Sequence, residues 1–115
     1  MAQRRKSLIK PRSIAFSRQS GHCLYCGQPM WTSSVEEFAA KHKITSAQAK
    51  LLQCTGEHLK AHHEGGKADQ SNIVAACLYC NQGRHKRKDP PEPEQYKRLV
   101  YQRLSKGGWH QLRIN

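Results

Sequence analysis

Apolar residues are sparse along this chain and fall into short clusters between polar and charged runs. In the first 18 residues Leu8, Ile9, Ile14 and Phe16 stand isolated among cations, and Pro11 lies between them, so this stretch reads as an arm in which proline interrupts any helix. His22-Cys-Leu-Tyr-Cys26-Gly27 follows, and the glycine predicts a turn that aims both sulfurs at one point. Ser34-Val-Glu-Glu37 has the form of a capping box, which predicts a short helix ending near Lys43. Thr45-Ser-Ala-Gln48 repeats the signal for a second helix to about Lys50, although residues 51–59 also read as the beginning of a strand. From Glu57 onward the pattern predicts two strands and a polar connection, with a turn at Glu64-Gly-Gly66 and the second strand at Asn72-Ile-Val-Ala-Ala76. Residues 81–88 read as a helix stopped by Pro90-Pro91. Tyr96, Leu99, Val100 and Leu104 recur at helical spacing within 94–105, and Gly107-Gly108 closes that helix.

Mixed short helices and strands place the chain in the α+β class, and 115 residues suffice for one domain. Its expected parts are a basic arm at 1–18, a core at 19–90 with a helical insertion at about 34–50, and a C-terminal helix and basic tail at 91–115 packed on the same domain. Only 37% of the residues are hydrophobic and 7% aromatic, so a greasy core alone is a poor offset to the entropy of ordering the backbone. Twenty Lys and Arg face eight Asp and Glu, a net charge of +12. That exceeds the magnitude of about 2 to 8 that keeps a small domain soluble, and it implies a polyanionic partner. No run resembles a signal segment or a membrane span, which predicts a cytoplasmic protein with no membrane partner.

In a reducing compartment, closely spaced cysteine pairs read as metal ligands before disulfides. Cys23-Leu-Tyr-Cys26 and Cys77-Leu-Tyr-Cys80 share their spacing and their intervening residues. Four thiolates in two matched pairs predict a closed, structural Zn²⁺ site that staples the small core. Cys54 is left over as an odd thiol.

Between and after the knuckles lie Glu57-His-Leu-Lys-Ala-His-His-Glu-Gly-Gly66, Asn72, and Cys80-Asn-Gln-Gly-Arg-His85. Asn81 and His85 are four apart, a spacing that puts both on one helix face. Glu57 and His58 are adjacent, so on a strand they face opposite sides and serve one site only where the strand bends or ends. This run resembles the HNH endonuclease family, with its ββα-metal motif. The resemblance covers about residues 23–88 and is specific within 57–85. It implies a small ββα-metal domain with a four-cysteine zinc knuckle pair and extra helices, hydrolysing phosphodiester bonds in DNA to leave a 3′-hydroxyl and a 5′-phosphate. In that family's terms Glu57 resembles a metal ligand, His58 the general base, and Asn72 the residue that holds the backbone near the base. Asn81 resembles the second ligand and His85 the third, or a phosphate contact.

Glu stands here where Asp or His is more usual, and Asn81 where many relatives have His. Such an oxygen-rich set favours Mg²⁺ or Mn²⁺. His62 and His63 compete with His58 for the base role or contact phosphate, and Asn81 alone could simply cap its helix. Lys60, Lys67, Arg84, Lys86, Arg87 and Lys88 are the expected phosphate contacts flanking the site, with Arg4, Arg5, Lys6, Lys10 and Arg12 extending them along DNA. A zinc-stabilised nucleic-acid-binding module without catalysis would explain the cysteines and the charge, but not an acid beside a histidine. So short a chain leaves open a homodimer or a partner subunit.

Overall fold

The computed structural model describes residues 2–60 and 71–114, of which 2–8 are described by backbone alone. In chain order the elements are α1 (Ala2–Arg18), α2 (Val35–His42), α3 (Ser46–Lys50), β1 (Cys54–His58), β2 (Ile73–Cys77), α4 (Leu78–His85) and α5 (Pro93–Ser105). β1 and β2 pair antiparallel, with Cys54 opposite Cys77, Glu57 opposite Val74 and His58 opposite Ile73. The expected α+β class holds, with a ββα unit at its centre. No helix among the described residues is long and apolar enough to cross a membrane.

The N-terminal segment differs from the sequence expectation, because α1 runs unbroken through Pro11. A proline inside a helix removes one backbone hydrogen bond. Packing across both strands offsets that loss, with Ala15 buried and Phe16 set against the core. Just beyond the helix, the Gln19 carboxamide donates to the carbonyl of Ala75 at 2.8 Å and accepts from its N–H at 2.9 Å. The amide of Leu24 donates to the same carbonyl at 3.0 Å. The outer edge of β2 is thereby covered, which satisfies backbone groups that a short sheet would leave bare.

The insertion follows its capping signals. Ser34 Oγ accepts from the amide of Glu37, and Thr45 and Gln48 form a reciprocal capping box. The two knuckles, alike in sequence, fold differently. The first is a tight turn in which Gly27 adopts a φ of 77°. The second opens a helix: Cys77 is the N-cap of α4, its Sγ accepts from the amide of Cys80, and the helix starts at Leu78, three residues before the predicted start.

α5 closes the domain through Tyr96 and Val100, both fully buried. Tyr96 meets Tyr25 edge to face with centroids 4.8 Å apart, and its hydroxyl donates to the carbonyl of Cys80 at 2.7 Å. Gly83 in α4 is what allows this approach, since a Cβ there would lie 2.8 Å from the Tyr96 hydroxyl and 3.2 Å from the Trp109 ring. Helix propensity alone would make Gly83→Ala stabilising by about 1 kcal/mol. Overpacking against an anchored tyrosine costs about 1–3 kcal/mol, so a lower midpoint in urea is the expected outcome.

Candidate metal centres and nuclease site

The four cysteines of the two knuckles are buried, and their sulfurs all lie within 4.8 Å of one another. Cys26 Sγ and Cys77 Sγ are 3.9 Å apart. A tetrahedral Zn²⁺ with ~2.3 Å bonds places sulfurs about 3.8 Å apart, so the cluster has the size of such a site. Backbone amides point at it as they do at thiolates: Tyr25 N and Cys77 N donate to Cys23 Sγ at 3.3 and 3.2 Å. The Cys26 thiol is drawn far below its ordinary value by the hydrogen bonds its thiolate receives, chiefly from Cys23, then Cys77 and Cys80. Cys54 stands outside the cluster, and burial raises its thiol to about 11 although the positive charge of Arg12 opposes the shift. It is not a thiolate at neutral pH, the state in which cysteine binds metal or reacts.

A second constellation forms where β1 meets α4. The pleat turns Thr55 and Glu57 toward the helix, while Asn81 and His85 lie one turn apart on the face that meets them. Glu57 is fully buried. A carboxylate without water is costly unless paired and hydrogen-bonded. Its Oε2 accepts from the Tyr25 hydroxyl at 3.0 Å and from Arg84 Nη1 at 3.2 Å. Its Oε1 lies 2.6 Å from His85 Nε2. The Asn81 side chain donates to Thr55 Oγ1 at 2.9 Å and to the carbonyl of Gly56 at 3.3 Å, an arrangement that makes Oδ1 the atom available to a cation.

Carboxylate oxygen, amide oxygen and imidazole nitrogen make a donor set that fits a hard or borderline divalent cation. Glu57 and His85 are thus in direct contact, and Asn81 lies one turn before His85 on the same helix. His58 takes the next ladder position after Glu57, half-buried at the last residue of β1. Alternation turns its side chain away from the Glu57 face.

Asn72 ties down the strand end beside His58. Its Oδ1 accepts from the amide of Lys60 at 2.8 Å, its Nδ2 donates to the Lys60 carbonyl at 3.0 Å, and its own carbonyl accepts from Leu59. The side chain thus closes the loop between the strands as an extra rung of the ladder.

Arg84 departs from the sequence reading, which grouped it with the phosphate-binding cations. It is 5% exposed and its guanidinium is engaged inside the protein. Besides Glu57, it donates to the carbonyls of His58 at 3.0 Å, Leu59 at 3.3 Å and Pro91 at 3.0 Å. Burial of Glu57 requires a counter-charge, and Arg84, four residues beyond Cys80, sits on the inward face of α4 to supply it. Lys60, Lys86, Arg87 and Lys88 are all at the surface. Lys60, Arg87 and Lys88 line, with His85, a cleft of about 750 Å³ that runs out to Pro90 and Pro93. His62, His63 and Lys67 lie outside the described residues.

Tyr25, Arg84 and the C-terminal pair Trp109 and His110 are contacts that sequence reasoning missed. Trp109 Nε1 donates to Cys80 Sγ at 3.3 Å. For Tyr25 the only available signal was its place inside a knuckle, and for Trp109 and His110 there was none.

The family model described as HNH endonuclease matches residues 23–87, more than half of the chain. The chain belongs to the HNH endonuclease family. No curated protein and no solved structure gives a significant match. The HNH match spans both knuckles, β1, β2 and α4, so it begins and ends with the elements that carry the two constellations. It supports nuclease activity at the level of the family. α1 and α5 are additions on either side of the HNH segment, and they cover its sheet edge and its zinc-knuckle side.

Proposed function

We propose that this HNH protein hydrolyses phosphodiester bonds in DNA, with one divalent cation and a histidine-activated water, on a domain held together by Zn²⁺ at Cys23, Cys26, Cys77 and Cys80. The observation that carries the proposal is the contact of buried Glu57 with His85, on the helix that also carries Asn81 and beside a basic cleft. Glu57 Oε1, Asn81 Oδ1 and His85 Nε2 would hold Mg²⁺ or Mn²⁺, which when bound supplies Lewis-acid stabilisation of charge on the phosphate and the leaving oxygen. Arg84 and Tyr25 engage only Oε2 of Glu57, so they fix the carboxylate and leave Oε1 to the site.

His58 is the general base in this reading, taking a proton from the attacking water. In-line displacement puts the nucleophile and the leaving group on opposite sides of phosphorus. Consecutive residues at a strand end diverge in this way, so Glu57 and His58 can straddle one phosphate. Asn72 holds the backbone that carries the base, and acts on chemistry only through that positioning. Lys60, Arg87 and Lys88 steer the DNA backbone into the cleft. Lys86 extends the same phosphate-binding surface, and we assign phosphate contact also to His62, His63 and Lys67 on the strength of their sequence alone. Contacts of this kind position a duplex without reading its bases.

A nucleic-acid-binding module without catalysis has no use for a fully buried carboxylate set against an imidazole. The test is conversion of supercoiled plasmid to the nicked circle by purified protein. Nicking with Mg²⁺ or Mn²⁺ that stops with EDTA is expected; retarded plasmid without nicking at any metal concentration would mean a binding module.

A further inference from the structure

The C-terminal segment reaches back over the sulfur cluster. After α5, Gly107 turns the chain with a φ of 79°, and Trp109 and Gln111 take left-handed backbone at 68° and 63°. Residues with a Cβ adopt that region at a cost, so the surrounding structure must hold His110 between them in place. The holding contacts are visible. Leu112 is buried, Gln28 Oε1 accepts from the amide of Ile114 at 2.6 Å, and Tyr79 meets Trp109 and His110 edge to face at 5.1 and 5.4 Å.

The strained turn delivers a ring N–H to the sulfurs. Trp109 Nε1 donates to Cys80 Sγ at 3.3 Å. The amide of Leu112 donates to His110 Nδ1 at 3.0 Å, so the proton of the neutral ring sits on Nε2. That Nε2 is buried without a hydrogen-bond partner, in a residue only 9% exposed. The second knuckle therefore receives a ring N–H, that of Trp109, from a segment that lies outside the matched residues 23–87.

We infer that Trp109 is a positioning residue of the zinc centre, whose N–H draws charge from the Cys80 thiolate and so governs how readily the metal leaves. A zinc with four thiolates carries a net charge of about −2 in a buried setting, and donors to sulfur compensate it without occupying a ligand position. They also make the sulfurs poorer targets for protons and electrophiles, the first step of zinc loss. The inference rests on the four-cysteine site being a zinc site and is independent of nuclease activity.

The experiment begins with zinc content of the purified wild-type protein, then measures zinc transfer to a chromogenic chelator for wild type, Trp109→Phe and Leu112→Ala. The first variant keeps a ring and loses the donor; the second loosens the packing of the same segment and keeps the donor. Release about tenfold faster is expected for Trp109→Phe. In the Co²⁺-substituted proteins the sulfur-to-metal charge-transfer band should move to lower energy in Trp109→Phe, and stay in place in Leu112→Ala. Unchanged release and band in Trp109→Phe overturn the inference, as does faster release without a band shift that Leu112→Ala reproduces. A wild-type protein that binds no zinc defeats the zinc reading itself, and with it the inference.

Discussion

Stripping the zinc from this protein is expected to unfold it. A structural zinc contributes ~10 kcal/mol or more in comparable peptides, while a whole domain is stable by only about 5–15 kcal/mol. Here the four sulfurs join the first knuckle to the end of β2 and the start of α4, and Tyr25 and Tyr96 pack directly on the peptides that carry them. Loss of the metal leaves four thiols crowded in a buried space and removes the link between the N-terminal third of the chain and the ββα unit. Loss of near-ultraviolet circular dichroism and of a cooperative melt on chelation is the expected readout. Cys77→Ser should behave in the same way, because Cys77 is at once a ligand, the last residue of β2 and the N-cap of α4. Cys54→Ser should fold with a loss of about 1–3 kcal/mol for a buried hydroxyl. A zinc-free Cys77→Ser protein with an unchanged melt would defeat the staple.

The second large effect falls on catalysis. Replacing His58 by alanine should lower the single-turnover nicking rate about 10²–10⁴-fold, the usual contribution of a general base, with the melt unchanged. The fold should tolerate the change because His58 is half-buried at the end of its strand and its backbone carbonyl, not its ring, is what Arg84 grips. Equal rates in the two proteins would remove the base assignment.

Local chemistry made much of this architecture legible. The caps at Ser34 and Thr45, the proline stop after α4 and the helical spacing of Tyr96 and Val100 all act over a few residues, and each element lies close to its expected place. The paired cysteines were equally plain, because a metal imposes spacing on sequence. What escaped depends on partners far along the chain. Pro11 reads as a helix breaker until the sheet beneath α1 is present to hold the helix. Arg84 reads as one more cation in a basic run until Glu57, 27 residues away, proves to be buried against it.

The identical Leu-Tyr dipeptides diverge for the same reason. Tyr25 reaches Glu57 and Tyr79 backs Trp109 and His110, because one knuckle is a turn and the other a helix start. The wiring also gives the zinc staple a direct hold on the proposed cation site, through Tyr25 of the first knuckle and Arg84 of the helix that the second knuckle begins.

The measurement that bears most directly on the account is Mn²⁺ binding by the zinc-loaded protein, followed through the electron paramagnetic resonance signal of free Mn²⁺, in wild type and His85→Ala. His85 is partly exposed and its loss should spare the fold. One Mn²⁺ per wild-type chain, and binding about 10–100-fold weaker in the variant, is the expected result. Absence of Mn²⁺ binding in wild type, or equal affinity in the two proteins, would contradict it.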